Sequence, residues 1–210
     1  MELLPIVFSS GWASGVNAYA TVLVLGLFGR FTDVHAFPVP DALTRTDVLV
    51  VAALLYAVEF VADKIPYLDS GWDVVSTAIR PSVGAVIALL VSGDASGLDQ
   101  ALYVTLGGGT ALLSHLAKAG LRLAINASPE PFTNIGASVT EDSAVVTVVT
   151  LAVFHPWWAL GVAAALLVLT LILVFLLLRY VRRGWRRWNG KRRPPPPTTT
   201  TTTTTYATIR

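Results

Sequence analysis

The chain has 210 residues, 54% of them apolar and only 13% charged, with no cysteine and a mean hydropathy of +0.64. That balance excludes an ordinary soluble domain, and the missing thiols exclude disulfides, thiolate metal sites and thiol catalysis. The net charge of +2 conceals a division, because residues 1–178 carry six Lys/Arg against thirteen Asp/Glu while 179–210 carry nine Lys/Arg and no acid.

Residues 3–29 are uncharged but lack the basic start and small-residue cleavage site of a signal peptide. They read as a retained first helix over about 11–29. Its small and polar residues suit close helix packing, or alternatively Asn17 and Tyr19 line a cavity. The connection from Arg30 to Asp47 holds FPVP and TRTD, which end one helix and cap the next. A second helix is expected over about 47–64 and a third over about 74–92, where Arg80-Pro81 should begin the regular helix or kink it.

Residues 93–100 form a short acidic turn. The fourth helix, about 100–123, contains Gly107-Gly108-Gly109, which predicts a break or a close crossing. Ser138 and Glu141 have capping-box spacing for a fifth helix over about 139–155, and His155-Pro156-Trp157-Trp158 turns the chain at an interface. The uncharged stretch 156–178 is the sixth span. After it, arginines interleaved with aromatics suit a juxtamembrane helix facing anionic lipid rather than nucleic acid, and the Pro/Thr run that ends the chain is low-complexity. Residues 1–178 therefore form the transmembrane domain and 179–210 a basic tail. The fold class is all-α, a polytopic membrane bundle of about six helices, with both termini cytoplasmic by the positive-inside rule.

The chemical centre lies between Glu59 and Pro81, where Glu59, Asp63, Lys64, Asp69, Asp73 and Arg80 interrupt a greasy sequence. Ionisable groups near membrane depth call for partners or a polar cavity. Glu59 and Asp63 are spaced i, i+4 near the inner end of the second helix, as are Lys118 and Arg122 in the fourth. The two pairs should lie at similar depth and face each other. His115 adds a group that titrates near neutrality, and Glu141 and Asp142 complete the set of charges assigned to one polar site or ion-pair network. Asp63, Asp69 and Asp73 offer the oxygen ligands a hard cation prefers, although acids in a loop are more often simply solvated.

Two stretches resemble each other: the one from Gly26, with FPVP and TRTD, and the one from Gly120, with SPEP and TED. With three crossings between them the second copy would be inverted, giving a 3+3 repeat of the kind common in transporters. Shared turn chemistry explains the match equally well.

The segments GWASGVNAYATVLVLGLFGRF, EFVADKIPYLDSGWD with the later RP, and NASPEPFTNIGASVTED with FHP are together similar to a family of bacterial membrane proteins catalogued as domain of unknown function 4126. The resemblance covers about residues 10–178 and implies a multi-pass protein of the bacterial plasma membrane. It brings no activity with it.

An enzyme is the least supported class, since no HExxH, GxSxG or P-loop is present and nothing calls for a cofactor. A small permease or channel-like protein for a solute or ion leads, and a non-transporting scaffold or lipid-binding module is the alternative. The bilayer is the expected partner, and a homo-oligomer is compatible with either class.

Overall fold

A computed structural model of the chain describes residues 3–32, 39–65, 67–93, 95–126 and 131–191. The described residues are helical almost throughout, in the order α1 (Leu3–Val16), α2 (Ala18–Phe31), α3 (Asp41–Thr44), α4 (Thr46–Ala62), α5 (Leu68–Val91), α6 (Gly97–Asn126), α7 (Pro131–Phe154) and α8 (Pro156–Lys191). Residues 1–175 form one compact unit; residues 176–210 form a second, described through Lys191 as the later part of α8. Among the described residues, three helical stretches are long and apolar enough to cross a membrane: Leu68–Val91, Phe132–Phe154 and Pro156–Tyr180.

The single first helix expected over 11–29 is instead two half-length helices. Asn17 breaks them: its backbone is extended (φ −150°, ψ 101°) and its side chain accepts from the Ala20 N–H, an N-cap that starts α2. With 14 residues each, the two helices are ~21 Å long, short of the ~30 Å hydrocarbon layer of a bilayer. They fold back on each other as a hairpin. Leu3 shares a groove with Val39, Pro40, Leu90 and Ser92, and Gly29, near the far end of α2, abuts Val39. Both open ends therefore lie together, with Asn17 at the tip.

α1 is buried along nearly its whole length, because three helices converge on it. Gly11 packs on Gly107, where an added Cβ would sit 2.6 Å from the Gly107 carbonyl oxygen, and a Cβ on Gly107 would sit 2.7 Å from that of Gly84. The triple glycine thus makes a close crossing of α1, α5 and α6, and α6 runs through it unbroken. α7 lies along both arms of the hairpin: Asn17 meets Asp142, and Phe28 meets Phe154 edge-on at 5.4 Å. The apolar core gathers Trp12, Val16, Leu25, Ile87, Val145 and Val149, among others.

Other boundaries shift for physical reasons. α5 begins at Leu68, not near 74, after a tight turn in which Tyr67 adopts a left-handed backbone (φ 69°). Arg80-Pro81 is consequently interior to α5 rather than at its start. α7 begins at Pro131, whose fixed φ suits a first helical position. Ser138 and Glu141 are therefore about two and three turns inside the helix and form no capping box. The two stretches that suggested an inverted repeat take different forms, since Thr46-Asp47 opens α4 whereas Thr140-Glu141 lies midway along α7. The acids of the 93–100 turn divide between Asp94, outside the described residues, and Asp99 in the first turn of α6. The terminal Pro/Thr run also lies outside the described residues.

Candidate functional site

The hairpin tip ends at the charged centre of the bundle. A helix C-terminus leaves carbonyls unpaired and carries partial negative charge, and cations answer both at the end of α1. Lys118 Nζ donates to the Val16 carbonyl at 3.0 Å, and Arg80 Nη1 to that of Gly15 at 3.5 Å. At the start of α2, Asn17 Nδ2 donates to Asp142 Oδ1 at 3.1 Å. The tip is thus bound from α5, α6 and α7 together.

Around it runs a continuous buried ion network. Arg80 Nη2 donates a short hydrogen bond to Glu59 Oε1, and its Nη1 lies 3.1 Å from Asp73 Oδ1. Lys118 Nζ is 2.8 Å from Asp63 Oδ2, 3.3 Å from Glu141 Oε2 and 3.8 Å from Glu59 Oε1. Arg122 grips Glu141 with two parallel bonds of 3.1 and 2.6 Å, the fork geometry that suits guanidinium and carboxylate. It also donates to the Asp63 carbonyl at 2.8 Å and approaches Asp69 at 3.7 Å. Asn126 donates to both oxygens of Asp69, and Asn134 donates to Asn126.

His115 has its role fixed by its neighbours. Arginine only donates, so the 2.8 Å contact from Arg80 Nη1 makes Nδ1 an acceptor. Thr77 Oγ1 gives its one proton to the Asp73 carbonyl, so the 3.0 Å contact at Nε2 is donated by the ring. The imidazole is therefore neutral and protonated on Nε2. In this arrangement it braces α5 against α6, and a second ring proton would point at a guanidinium.

The network carries too many acids. Glu59, Asp63, Asp69, Asp73, Glu141 and Asp142 are six carboxylates against three bases, Arg80, Lys118 and Arg122. Five carboxylate oxygens are buried without a hydrogen-bond partner: Glu59 Oε2, Asp63 Oδ1, both of Asp73, and Asp142 Oδ2. An uncompensated buried charge is costly, so such a site favours taking a proton or a cation. Among the described residues no three His, Asp or Glu side chains are placed to share one metal ion. Asp63 pairs with Lys118, Asp69 with Asn126 and Asp73 with Arg80.

Ten of the ionisable residues read from the sequence thus meet: Glu59, Asp63, Asp69, Asp73, Arg80, His115, Lys118, Arg122, Glu141 and Asp142. Lys64 is half-exposed, with Nζ on the Phe60 carbonyl and Ser138 and over the Phe60 ring, and it interacts with Asp142 and Asp63 through space rather than by a direct ion pair. Tyr19 lines a shallow groove with Asp47 and Ala52, while Asn17 is buried and caps α2. Asp69 and Asp73 are not solvated in a loop but buried on α5. Sequence reasoning missed Thr77, Asn126 and Asn134. Thr77 could have been found from its i, i+4 relation to Asp73, whereas Asn126 lies past the expected end of its helix.

A family model described as Domain of unknown function (DUF4126) matches residues 4–176. No curated protein and no solved structure matches the chain.

Proposed function

The chain belongs to the DUF4126 family, and from that premise we propose that it is a membrane-embedded permease or channel-like protein that passes a cation or a proton through its charged centre. The observation that carries the proposal is the acid excess where the half-length hairpin ends. Arg80 and Glu141 lie near the middles of α5 and α7, and Asp63, Asp69 and Asn126 stand at the ends of α4, α5 and α6, so the network reaches from mid-helix to one end of the bundle. Discontinuous helices that end at mid-depth beside charged groups are how many transporters build ion sites. The nine basic residues after Leu178 favour a cytoplasmic position for the C-terminus and contact with anionic lipid. The N-terminus then belongs on the other side, because the hairpin returns to the end where it began.

A second reading has its own support. The bidentate clamp of Arg122 on Glu141 locks α6 to α7 as a static scaffold would require.

Flux separates the two. The protein reconstituted in liposomes under an inside-negative potential should take up cations or protons faster than empty vesicles. Asp73→Asn, which withdraws one carboxylate of the excess, should remove most of that uptake while leaving the fold intact. Uptake equal to that of empty vesicles, or unchanged in the variant, would leave the scaffold reading in its place.

A further inference from the structure

The side of the bundle that faces α8 is incompletely packed. In the later part of α7 the buried residues are Val145, Val148, Val149 and Val153, which fill the core. Earlier in the helix Gly136, Ala137, Thr140 and Ala144 stand instead, and these small residues border a cavity of about 310 Å³ between α6, α7 and α8, with Trp12 and Val16 of α1 at its back. Its volume sits at the lower end of the ~300–1,000 Å³ typical of small-molecule pockets. The lining runs from Gly136 to Ala144 on α7 and from Leu166 to Leu173 on α8, so the cavity is a slot along the helix axes, ~12 Å long at 1.5 Å per residue.

Exposure locates its opening. Trp12, Val16, Ser114, Ala117 and Lys118, from α1 and α6, are buried, whereas the exposed lining residues, Gly136, Thr140, Leu169 and Leu173, all belong to α7 and α8. Both of those stretches lie in helices long and apolar enough to span, so the slot opens sideways toward the hydrocarbon layer and not toward water.

The polar groups of the lining are already engaged. Ser114 Oγ donates to the Trp12 carbonyl, and Thr140 and Thr170 donate to carbonyls of their own helices. Arg122 takes both oxygens of Glu141, while Lys118 is enclosed by Asp63, Glu141 and the Val16 carbonyl. Among the described residues, no buried side-chain atom without a hydrogen bond belongs to the lining. The slot therefore offers a guest no charge to neutralise and no donor or acceptor to satisfy, only apolar surface. Apolar cavities stay dry and take apolar guests, and an empty one forfeits the dispersion contacts of its walls.

We propose that one hydrocarbon chain of a membrane lipid occupies this cavity, entering between α7 and α8 and lying along them with its head group outside. The chain would reach Trp12 and cover the Lys118–Glu141 pair, completing the wall between the ion network and the bilayer. The site needs a bilayer but neither flux nor a particular ion, so it stands or falls apart from the permease reading.

The test is photo-cross-linking of the full-length protein in phosphatidylcholine vesicles doped with a phosphatidylcholine that carries a diazirine on one acyl chain, with adducts mapped by mass spectrometry. Adducts should form on the inner wall, at Trp12, Val16 or Ala117, and on Leu171, which is exposed on α8 outside the cavity. Trp12 and Ala117 are only 4% and 2% exposed, so lipid that coats the bundle without entering it reaches Leu171 and not the inner wall. Gly136→Leu and Thr140→Trp place bulk at the rim, and each should lower the inner-wall yield relative to Leu171 about tenfold, the effect of ~1.4 kcal/mol of lost affinity. Thr147→Trp, exposed on α7 but away from the cavity, should leave the ratio unchanged. The Leu171 adduct reports in every variant that the protein is embedded. Adducts on Leu171 with none on the inner wall would overturn the proposal, whatever else covers the opening, a second copy of the chain included. Inner-wall adducts that both rim variants leave unchanged would overturn it as well. Inner-wall adducts from a free diazirine-bearing hydrocarbon, with none from the lipid, would make the cavity a pocket for a small apolar molecule and equally overturn the lipid assignment.

Discussion

Most charged residues in the centre are held by partners from other helices, whereas Asp73 pairs with Arg80 of its own helix, and the partners differ in how completely they satisfy each charge. Glu141 takes both arms of Arg122 and a contact from Lys118. Removing its charge breaks the Arg122 fork and leaves that guanidinium the Asp63 carbonyl and longer contacts of 3.5 and 3.7 Å to the Asp63 and Asp69 carboxylates, so Glu141→Gln should lower stability by ~3 kcal/mol. Asp73 has neither carboxylate oxygen in a hydrogen bond, and Arg80 keeps Glu59 when Asp73 is neutralised. Asp73→Asn should therefore cost less than ~1 kcal/mol or stabilise. Thermal unfolding in detergent checks both; equal losses would mean that the two acids are equally paired. At this scale the sequence was informative about which residues carry charge and uninformative about their burial. The i, i+4 spacing placed Glu59 and Asp63 opposite Lys118 and Arg122, but Asp69 looked like a loop residue. Its partners, Asn126 and Arg122, are more than fifty positions away, and local pattern has no access to such a pairing.

At the level of elements, small residues decide how closely helices approach and polar ones decide where they stop. The run Gly107-Gly108-Gly109 reads as a weak point in an isolated helix, yet α6 continues because Gly84 and Gly11 meet it from two sides. Only part of the run makes that contact. Gly107→Ala would force its Cβ onto Ala88 and the Gly84 carbonyl, and overpacking of this kind costs ~1–3 kcal/mol. Gly109 has open space around it, so Gly109→Ala should be neutral or add up to ~1 kcal/mol through helix propensity. Unfolding of the two variants side by side measures the difference, and an equal response would show that the crossing is not tight. The break at Asn17 was harder to see, because Ser14, Gly15 and Asn17 also read as a stripe of small packing residues. What separates a cap from a stripe is the backbone turn, which the neighbouring Asp142, Lys118 and Arg80 hold in place.

For the whole molecule, composition alone was enough to indicate an all-helical membrane protein, because about half of its residues are apolar and the charges cluster. The path of the chain was less legible. A hydropathy pattern over 11–29 cannot distinguish one crossing from two arms of a hairpin, since both are uninterrupted by charge, and the two paths put the N-terminus on opposite sides of the bundle. The functional proposal depends on this point: if the first segment crossed the membrane, no half-length hairpin would end at the charged centre. The absence of cysteine makes the path directly measurable. Single cysteines introduced at Leu4, at Ser96 and at Thr133, in intact vesicles treated with an impermeant thiol reagent, report which side each position faces. Leu4 and Ser96 should be labelled from the same side and Thr133 from the opposite one. Labelling of Leu4 from the side of Thr133 would contradict the hairpin, and with it the site at its tip.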